Sequence, residues 1–308
     1  MAAVKPVNNL VIAISSILLA VLALSFGDAL IKQYSVSFPI WQIYILRSVM
    51  ALPVLLLLIG LSKTKVGLIP HSIKWVGLRS LLLGTMWMAY YFSLPHIDLT
   101  VAAAVYYTIP IFITLLSALV IRESITPLAW FAVILGFISV LIIIRPGAAG
   151  FNLYVLLPLL AAVCYAFAMI ITRVRCQSED PRVLSIALNL MFVALGGALL
   201  LFRQLGAQFN LDFSEIQNLV GPWLDPYGSQ WLIMWVLSLV VIVGSVFSAI
   251  AYQRASPPVL ATFDYFYLGF SIVWGVVIFS EQPDGLTLLG IGLLVVSGIM
   301  AIWQRKEN

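Results

Sequence analysis

The chain has 308 residues, of which 63% are apolar and only 9% charged, with a formal net charge of +4. That is too little polar surface to coat a water-soluble globule of this size, so the composition excludes a soluble fold and makes a lipid bilayer the solvent. The basic residues are scattered singly over connectors instead of gathering on one face, which gives nucleic acid no footing as a partner.

The apolar residues come in stretches of about 18 to 25, the length a helix needs to cross ~30 Å of hydrocarbon at 1.5 Å per residue. In chain order the predicted spans are 10–34, 39–61, 75–93, 98–121, 128–145, 151–173, 182–202, 230–254, 257–280 and 286–303. The chain reads as an all-α membrane protein of ten transmembrane helices. Asp28 and Lys32 near the end of the first span, together with its length, mark a permanent helix and not a cleavable signal. Pro110 and Pro158 fall inside spans and are expected to bend them. The segment 203–229, with Asp212, Glu215, Asp225 and the Gly221-Pro222-Trp223 break, is expected to be an extramembrane loop holding a short interfacial helix. Trp75, Trp130, Trp231 and Trp303 lie near span ends, where an amphipathic ring anchors at the headgroups. Cys164 in a span and Cys176 in a connector are not placed to form a disulfide.

With ten spans both termini share a side. On that side the count is Lys5, Lys63, Lys65, Lys74, Arg79, Arg122, Arg173, Arg175, Arg182, Arg254, Arg305 and Lys306, against Lys32, Arg145 and Arg203 on the other. Twelve against three places both termini in the cytoplasm of a cytoplasmic (inner) membrane protein.

Residues 98–145 align weakly with 256–303 at an offset of 158, which matches Glu123 with Glu281 at the ends of the fourth and ninth spans. Upstream, at an offset of 142, Pro39 matches Pro181 and Arg47 matches Asn189. The chain thus divides into two halves of five spans, 1–148 and 149–308. Because five is odd, the second half enters the membrane from the opposite side, giving inverted repeats, which recur in carriers with a site near the midplane. Glu123 and Glu281 read as helix-terminating, loop-docking residues outside that site.

The stretch from Asp28 to Lys32, then Pro39 through Gln42 with Arg47, Gly84 to Leu94 and Ala102 to Glu123, resembles the EamA branch of the drug/metabolite transporter superfamily. It is most similar to members that carry S-adenosylmethionine, riboflavin or carboxylates. The resemblance implies ten helices in two inverted five-helix repeats around a central cavity, with both termini cytoplasmic. It is specific for fold and not for substrate. Asp264 departs from the family pattern, which has an uncharged residue there in many members.

A charge within a span costs roughly 2.5–3.5 kcal/mol on insertion scales, so each needs a partner or a water-filled cavity. From the helical rise, Asp28 lies about 9 Å from the outer end of the first span and Arg47 about 12 Å from that of the second. Being at one depth, they can pair with each other, or Arg47 can present its planar fork to a substrate carboxylate or phosphate while Asp28 orients it or binds an amine. Lys32, at i+4, competes for Asp28. Asp264 lies about 10 Å from the cytoplasmic end of the ninth span, with no cation at its depth. An unpaired carboxyl there suits exchange of a proton with the cytoplasm or binding of a substrate amine. Trp87 and Tyr91 share a face of the third span, Tyr106 and Pro110 one of the fourth, and Asp264, Tyr267, Leu268 and Ser271 one of the ninth. These rings are the expected lining of a cavity that stacks a ring or a cation.

No hydrolase, protease or phosphate-binding motif is present, and His71 and His96 fall on opposite sides, so neither an enzyme nor a metal site is expected. The function expected is secondary active transport, by alternating access, of a small organic metabolite. An amino acid or amino-acid-derived zwitterion is favoured because buried groups of both signs are present. The substrate-binding candidates are Asp28, Arg47, Trp87, Tyr91, Tyr106, Asp264 and Tyr267, with Asp264 as the proton-coupling residue. No cofactor is called for; the partners are the solute, the bilayer and, through Asp264, protons, and a monomer suffices. A dicarboxylate or vitamin carrier and a non-transporting assembly subunit are the competing readings.

Overall fold

The computed structural model describes residues 6–34, 37–62, 67–120, 127–145, 152–209, 211–255 and 257–303, and every regular element among the described residues is helical. In chain order the helices are α1 (Pro6–Tyr34), α2 (Ile40–Gly60), α3 (Ile73–Ser93), α4 (Leu99–Tyr106), α5 (Ile109–Val120), α6 (Pro127–Ile144), α7 (Leu156–Arg175), α8 (Pro181–Gln208), α9 (Gln217–Val220), α10 (Ser229–Arg254), α11 (Pro257–Phe279) and α12 (Gly285–Trp303). Proline and acidic residues set several starts. Asp180 accepts the backbone N–H of Arg182 at 2.8 Å and so caps α8, whose first residue, Pro181, needs no N–H there.

Six segments of the described residues are long and apolar enough to cross a membrane: Leu10–Tyr34, Ile40–Gly60, Leu99–Val120, Leu153–Arg175, Pro181–Gln208 and Ser229–Arg254. Ile134–Ile143, Phe266–Phe279 and Gly285–Ser297 are shorter apolar helical stretches. Leucine, valine and phenylalanine side chains stand exposed around the bundle, among them Leu57, Phe137, Leu232 and Val277. So much bare apolar surface on helices of this length requires lipid around it. The chain is an integral membrane protein.

The core lies where α1 runs along α10 and α11, α3 along α7 and α8, α2 against α8 and α10, and α6 against α12. Small residues permit the tightest of these approaches: a Cβ added at Gly244 of α10 would lie 2.3 Å from Leu24 Cδ2 of α1.

Several expectations change. The fourth span is two helices, since α4 ends at Tyr106 and α5 begins at Ile109. Pro110 stands in the first turn of α5, where its missing N–H costs no helical bond. Pro158 likewise falls in the first turn of α7, and Pro53 lies inside α2. Helix α8 continues six residues past the predicted 202, to Gln208, which shortens the loop to a 3₁₀ turn at Ser214–Ile216 and the single turn of α9. Arg79, counted above among the surface charges, is 1% exposed inside the bundle. Lys5, Lys63, Lys65, Glu123, Arg122, Arg305, Lys306 and the boundary at 148/149 lie outside the described residues, as do the side chains of Pro110 and Trp303.

Candidate functional site

Helices α1, α3, α4, α7, α10 and α11 converge on a narrow cavity of about 20 Å³. Two carboxylates face it: Asp28 from α1, 4% exposed, and Asp264 from α11, 2% exposed. Trp87, Tyr90, Tyr106, Tyr107, Tyr165 and Tyr267 supply most of the rest of the wall. Tyr107 stacks on Tyr267 with ring centroids 5.0 Å apart, and Tyr90 lies against Tyr106 at 5.1 Å. A second lobe of about 40 Å³ shares Met86, Trp87, Tyr106 and Tyr165 with the first and extends to Arg79.

Each carboxylate is held by tyrosine hydroxyls. Tyr267 donates to Asp28 Oδ2, and its own oxygen lies 3.2 Å from that of Tyr90. The Tyr91 hydroxyl oxygen accepts from Arg47 Nη1 at 3.1 Å, while Asp28 Oδ1 is buried with no hydrogen-bond partner. Asp28 and Arg47 form no direct ion pair. The Arg47 guanidinium lies 4.6 Å from the ring centroid of Phe192, 5.1 Å from Tyr44, 5.2 Å from Trp87 and 5.3 Å from Tyr91. Such a cage desolvates a cation and repays part of the cost through the ring quadrupoles. On the other side, Tyr252 donates to Asp264 Oδ2 at 2.6 Å, and the Tyr165 ring meets that of Tyr252 edge-on with centroids 6.3 Å apart.

Residues 11–145 match the model of the EamA-like transporter family. That stretch is similar to an EamA domain. Over its whole length the chain is similar to a pseudopaline exporter of Pseudomonas aeruginosa, 27% identical over 96% of this chain and 98% of that one. A riboflavin transporter of Brucella anthropi is 26% identical over 69% of this chain and 70% of its own. An S-adenosylmethionine uptake transporter of Rickettsia felis is 24% identical over 75% and 72%. A solved crystal structure covers 97% of this chain and 99% of its own at 21% identity with a TM-score of 0.64, and so shares the fold. These relatives are transporters of small molecules.

Of the predicted site residues, Asp28, Trp87, Tyr106, Asp264 and Tyr267 line the cavity, the last two from beyond the residues that match the family model. Arg47 and Tyr91 stand behind the wall. Lys32 does not compete for Asp28: it donates to Glu281 Oε1 at 3.0 Å and to the Ile97 carbonyl at 2.8 Å. Glu281 also accepts from the backbone N–H of Leu99 at 2.7 Å, from that of Thr100 at 3.0 Å and from Thr100 Oγ1 at 2.8 Å. It thus caps α4 from a distance of some 180 residues in sequence, the loop-docking role expected of it. At the opposite end of the bundle Glu179 does the same for α3, accepting from the N–H of His71 at 3.1 Å and of Ser72 at 2.9 Å.

Tyr90, Tyr107, Tyr165, Tyr252 and Arg79 were missed by reasoning from the sequence. For the tyrosines no single-residue signal exists. For Arg79 there was one, a cation seven residues inside an apolar helix, and it was spent on the charge count.

Proposed function

We propose that the chain is an alternating-access secondary carrier of the cytoplasmic membrane, with ten crossing helices in two inverted five-helix repeats, 1–148 and 149–308, and both termini in the cytoplasm. Its solute is a small zwitterion, an amino acid or a derivative of one. The observation that carries this reading is the tyrosine-walled cavity into which each half extends one buried carboxylate, Asp28 and Asp264.

Helix neighbours support the repeats. Let α1, α2, α3, α4 with α5, and α6 correspond to α7, α8, α10, α11 and α12. Exchanging the halves then turns the α1–α10 contact into α7–α3, α2–α10 into α8–α3, and α1–α11 into α7 with α4 and α5, while α2–α8 and α6–α12 map onto themselves; every one of these contacts is present. This is the two-fold relation that lets two conformations of the halves be swapped.

The carboxylates suit a substrate ammonium, and the rings of Trp87, Tyr106 and Tyr267 suit its apolar or cationic body. Asp264, which forms no ion pair among the described residues, is the group proposed to exchange a proton with the cytoplasm. The tyrosine wall also favours a second reading, a ring-bearing vitamin, as in the riboflavin transporters; two facing carboxylates disfavour a dicarboxylate.

The test is counterflow in liposomes holding the purified protein and preloaded with unlabelled amino acids, S-adenosylmethionine, riboflavin or dicarboxylates. Accumulation of a labelled zwitterion, lost in Asp28→Ala, is the expected result. Accumulation of riboflavin alone would move the assignment to the second reading, and silence across the panel from folded protein would overturn the carrier.

A further inference from the structure

Arg79 is the one cation among the described residues that both lines the cavity and is fully buried. Its Nε donates to Thr172 Oγ1 of α7 at 2.7 Å, and that hydroxyl in turn donates to the Ala168 carbonyl at 2.8 Å. One edge of the guanidinium is thereby fixed to a neighbouring helix. Its Nη1 is buried with no hydrogen-bond partner, and no carboxylate lies within ion-pair distance of Arg79 among the described residues.

Guanidinium does not lose its proton in proteins, so this is a permanent charge in a low-dielectric interior with donor capacity left over. Arg47 also has bare donors, Nε and Nη2, but four rings surround it, Tyr91 takes a further donor, and it does not reach the cavity wall, so only Arg79 can turn its bare donor to a solute there. A planar fork held by one edge and open on another, at the wall of a cavity whose far lobe carries carboxylates, is suited to take a carboxylate end-on.

On the reading that this cavity receives the solute, we infer that Arg79, and not Arg47, binds the solute's carboxylate. The solute then lies along the cavity with its carboxylate at Arg79, its body between Trp87, Tyr106 and Tyr165, and its ammonium toward Asp28 or Asp264. The bare Nη1 of Arg79 is completed by the solute itself. A group that must be completed by its ligand discriminates strongly against an analogue lacking the matching atom, because that analogue leaves a buried charge unpaired.

The experiment compares matched probes on the purified full-length protein by thermal stabilisation: L-methionine with L-methioninamide, L-phenylalanine with L-phenylalaninamide, and S-adenosylmethionine with its decarboxylated form. The wild type should bind the carboxylate member of at least one pair tenfold or more tightly. Arg79→Gln should erase that preference, Arg79→Lys should restore part of it, and Arg47→Gln should weaken both members together and keep their ratio. Thr172→Val removes the hydrogen bond to α7 while leaving the charge, so the preference should survive it; a purely structural Arg79 would respond to both changes alike.

Persistence of the preference in Arg79→Gln, or its loss in Arg47→Gln alone, would overturn the assignment. So would a wild type that carries a label in counterflow yet does not favour any carboxylate, and that outcome leaves the carrier standing. Counterflow silence combined with a carboxylate preference that depends on Arg79 would support the anion site and remove the carrier.

Discussion

The Tyr252 hydroxyl donates to Asp264 Oδ2 at 2.6 Å, so the carboxylate of α11 is held by a neutral group from α10 and not by a cation. If that carboxylate couples transport to protons, Asp264→Asn should abolish accumulation driven by a pH gradient and leave solute exchange largely intact. Tyr252→Phe should shift the pH dependence without abolishing accumulation. The two activities separate in proteoliposomes with and without an imposed gradient; equal loss of both in Asp264→Asn would reject the coupling role.

Glu281 gathers Lys32, both backbone donors at the start of α4 and the Thr100 hydroxyl. Burial works against its charge, but the Thr100 and Leu99 hydrogen bonds and Lys32 outweigh it and hold the carboxyl below its ordinary value of 4.5. A depressed value means that the contribution is complete above the ordinary one and is lost only as pH falls through the folded one. Glu281→Gln should therefore destabilise the protein by ~2 kcal/mol at neutral pH, the scale of a buried donor set losing a charged acceptor. Melting in detergent should show a constant gap between variant and wild type at pH well above the ordinary value and a gap that narrows as pH falls below it.

Two adjacent glycines on α8 should behave oppositely. A Cβ at Gly196 would lie 2.8 Å from the backbone oxygen of Trp41, which cannot turn aside, whereas Gly197 has nothing within 4 Å. Gly196→Ala should cost about 1–3 kcal/mol by forcing α2 and α8 apart. Gly197→Ala should stabilise the helix by up to about 1 kcal/mol through propensity. Thermal inactivation of the two variants side by side checks the sign of each.

Arg47→Lys should not be tolerated as a conservative change. An ammonium cannot cover Tyr44, Trp87, Tyr91 and Phe192 with one plane while still reaching the Tyr91 hydroxyl. The expected result is a loss of about 1–2 kcal/mol of stability and a solute affinity reduced through Trp87, whose ring packs against Arg47 and also lines the cavity. Native affinity in Arg47→Lys would dissociate this cage from the site.

Most helix limits were legible because lipid forces apolar residues into long runs and charged residues to their ends. The limit of α8 was not: Arg203 and Gln204 read as an exit, yet a helix leaving the hydrocarbon need not stop, and Leu205 and Gly206 continue it. The break at Tyr107 was foreshadowed by Pro110, but as a bend. Pairings were the least legible. Lys32 has a local carboxylate one turn away in Asp28 and takes Glu281 instead, 249 positions along the chain, because the fold brings that residue to the start of α4. Asp28, Trp87, Tyr106, Asp264 and Tyr267 stood out as polar or aromatic groups in apolar helices. Tyr165 and Tyr252 look the same in sequence as any aromatic that fills a gap between helices, and only the bundle sets them beside Asp264.

The interruption between α4 and α5 has a mechanical meaning. An unbroken helix from Leu99 to Val120 would act as a stiff rod and transmit any displacement at one end to the other. Instead α4 is latched at its start to Glu281 and leans on α11, while α5 leans chiefly on α7, with the joint beside two cavity tyrosines, Tyr106 and Tyr107. The two pieces lean on the same helices in different proportion. In a carrier of the kind proposed, one mouth of the cavity could then move while the other stays shut, which would insulate it against the leak that follows if both open together.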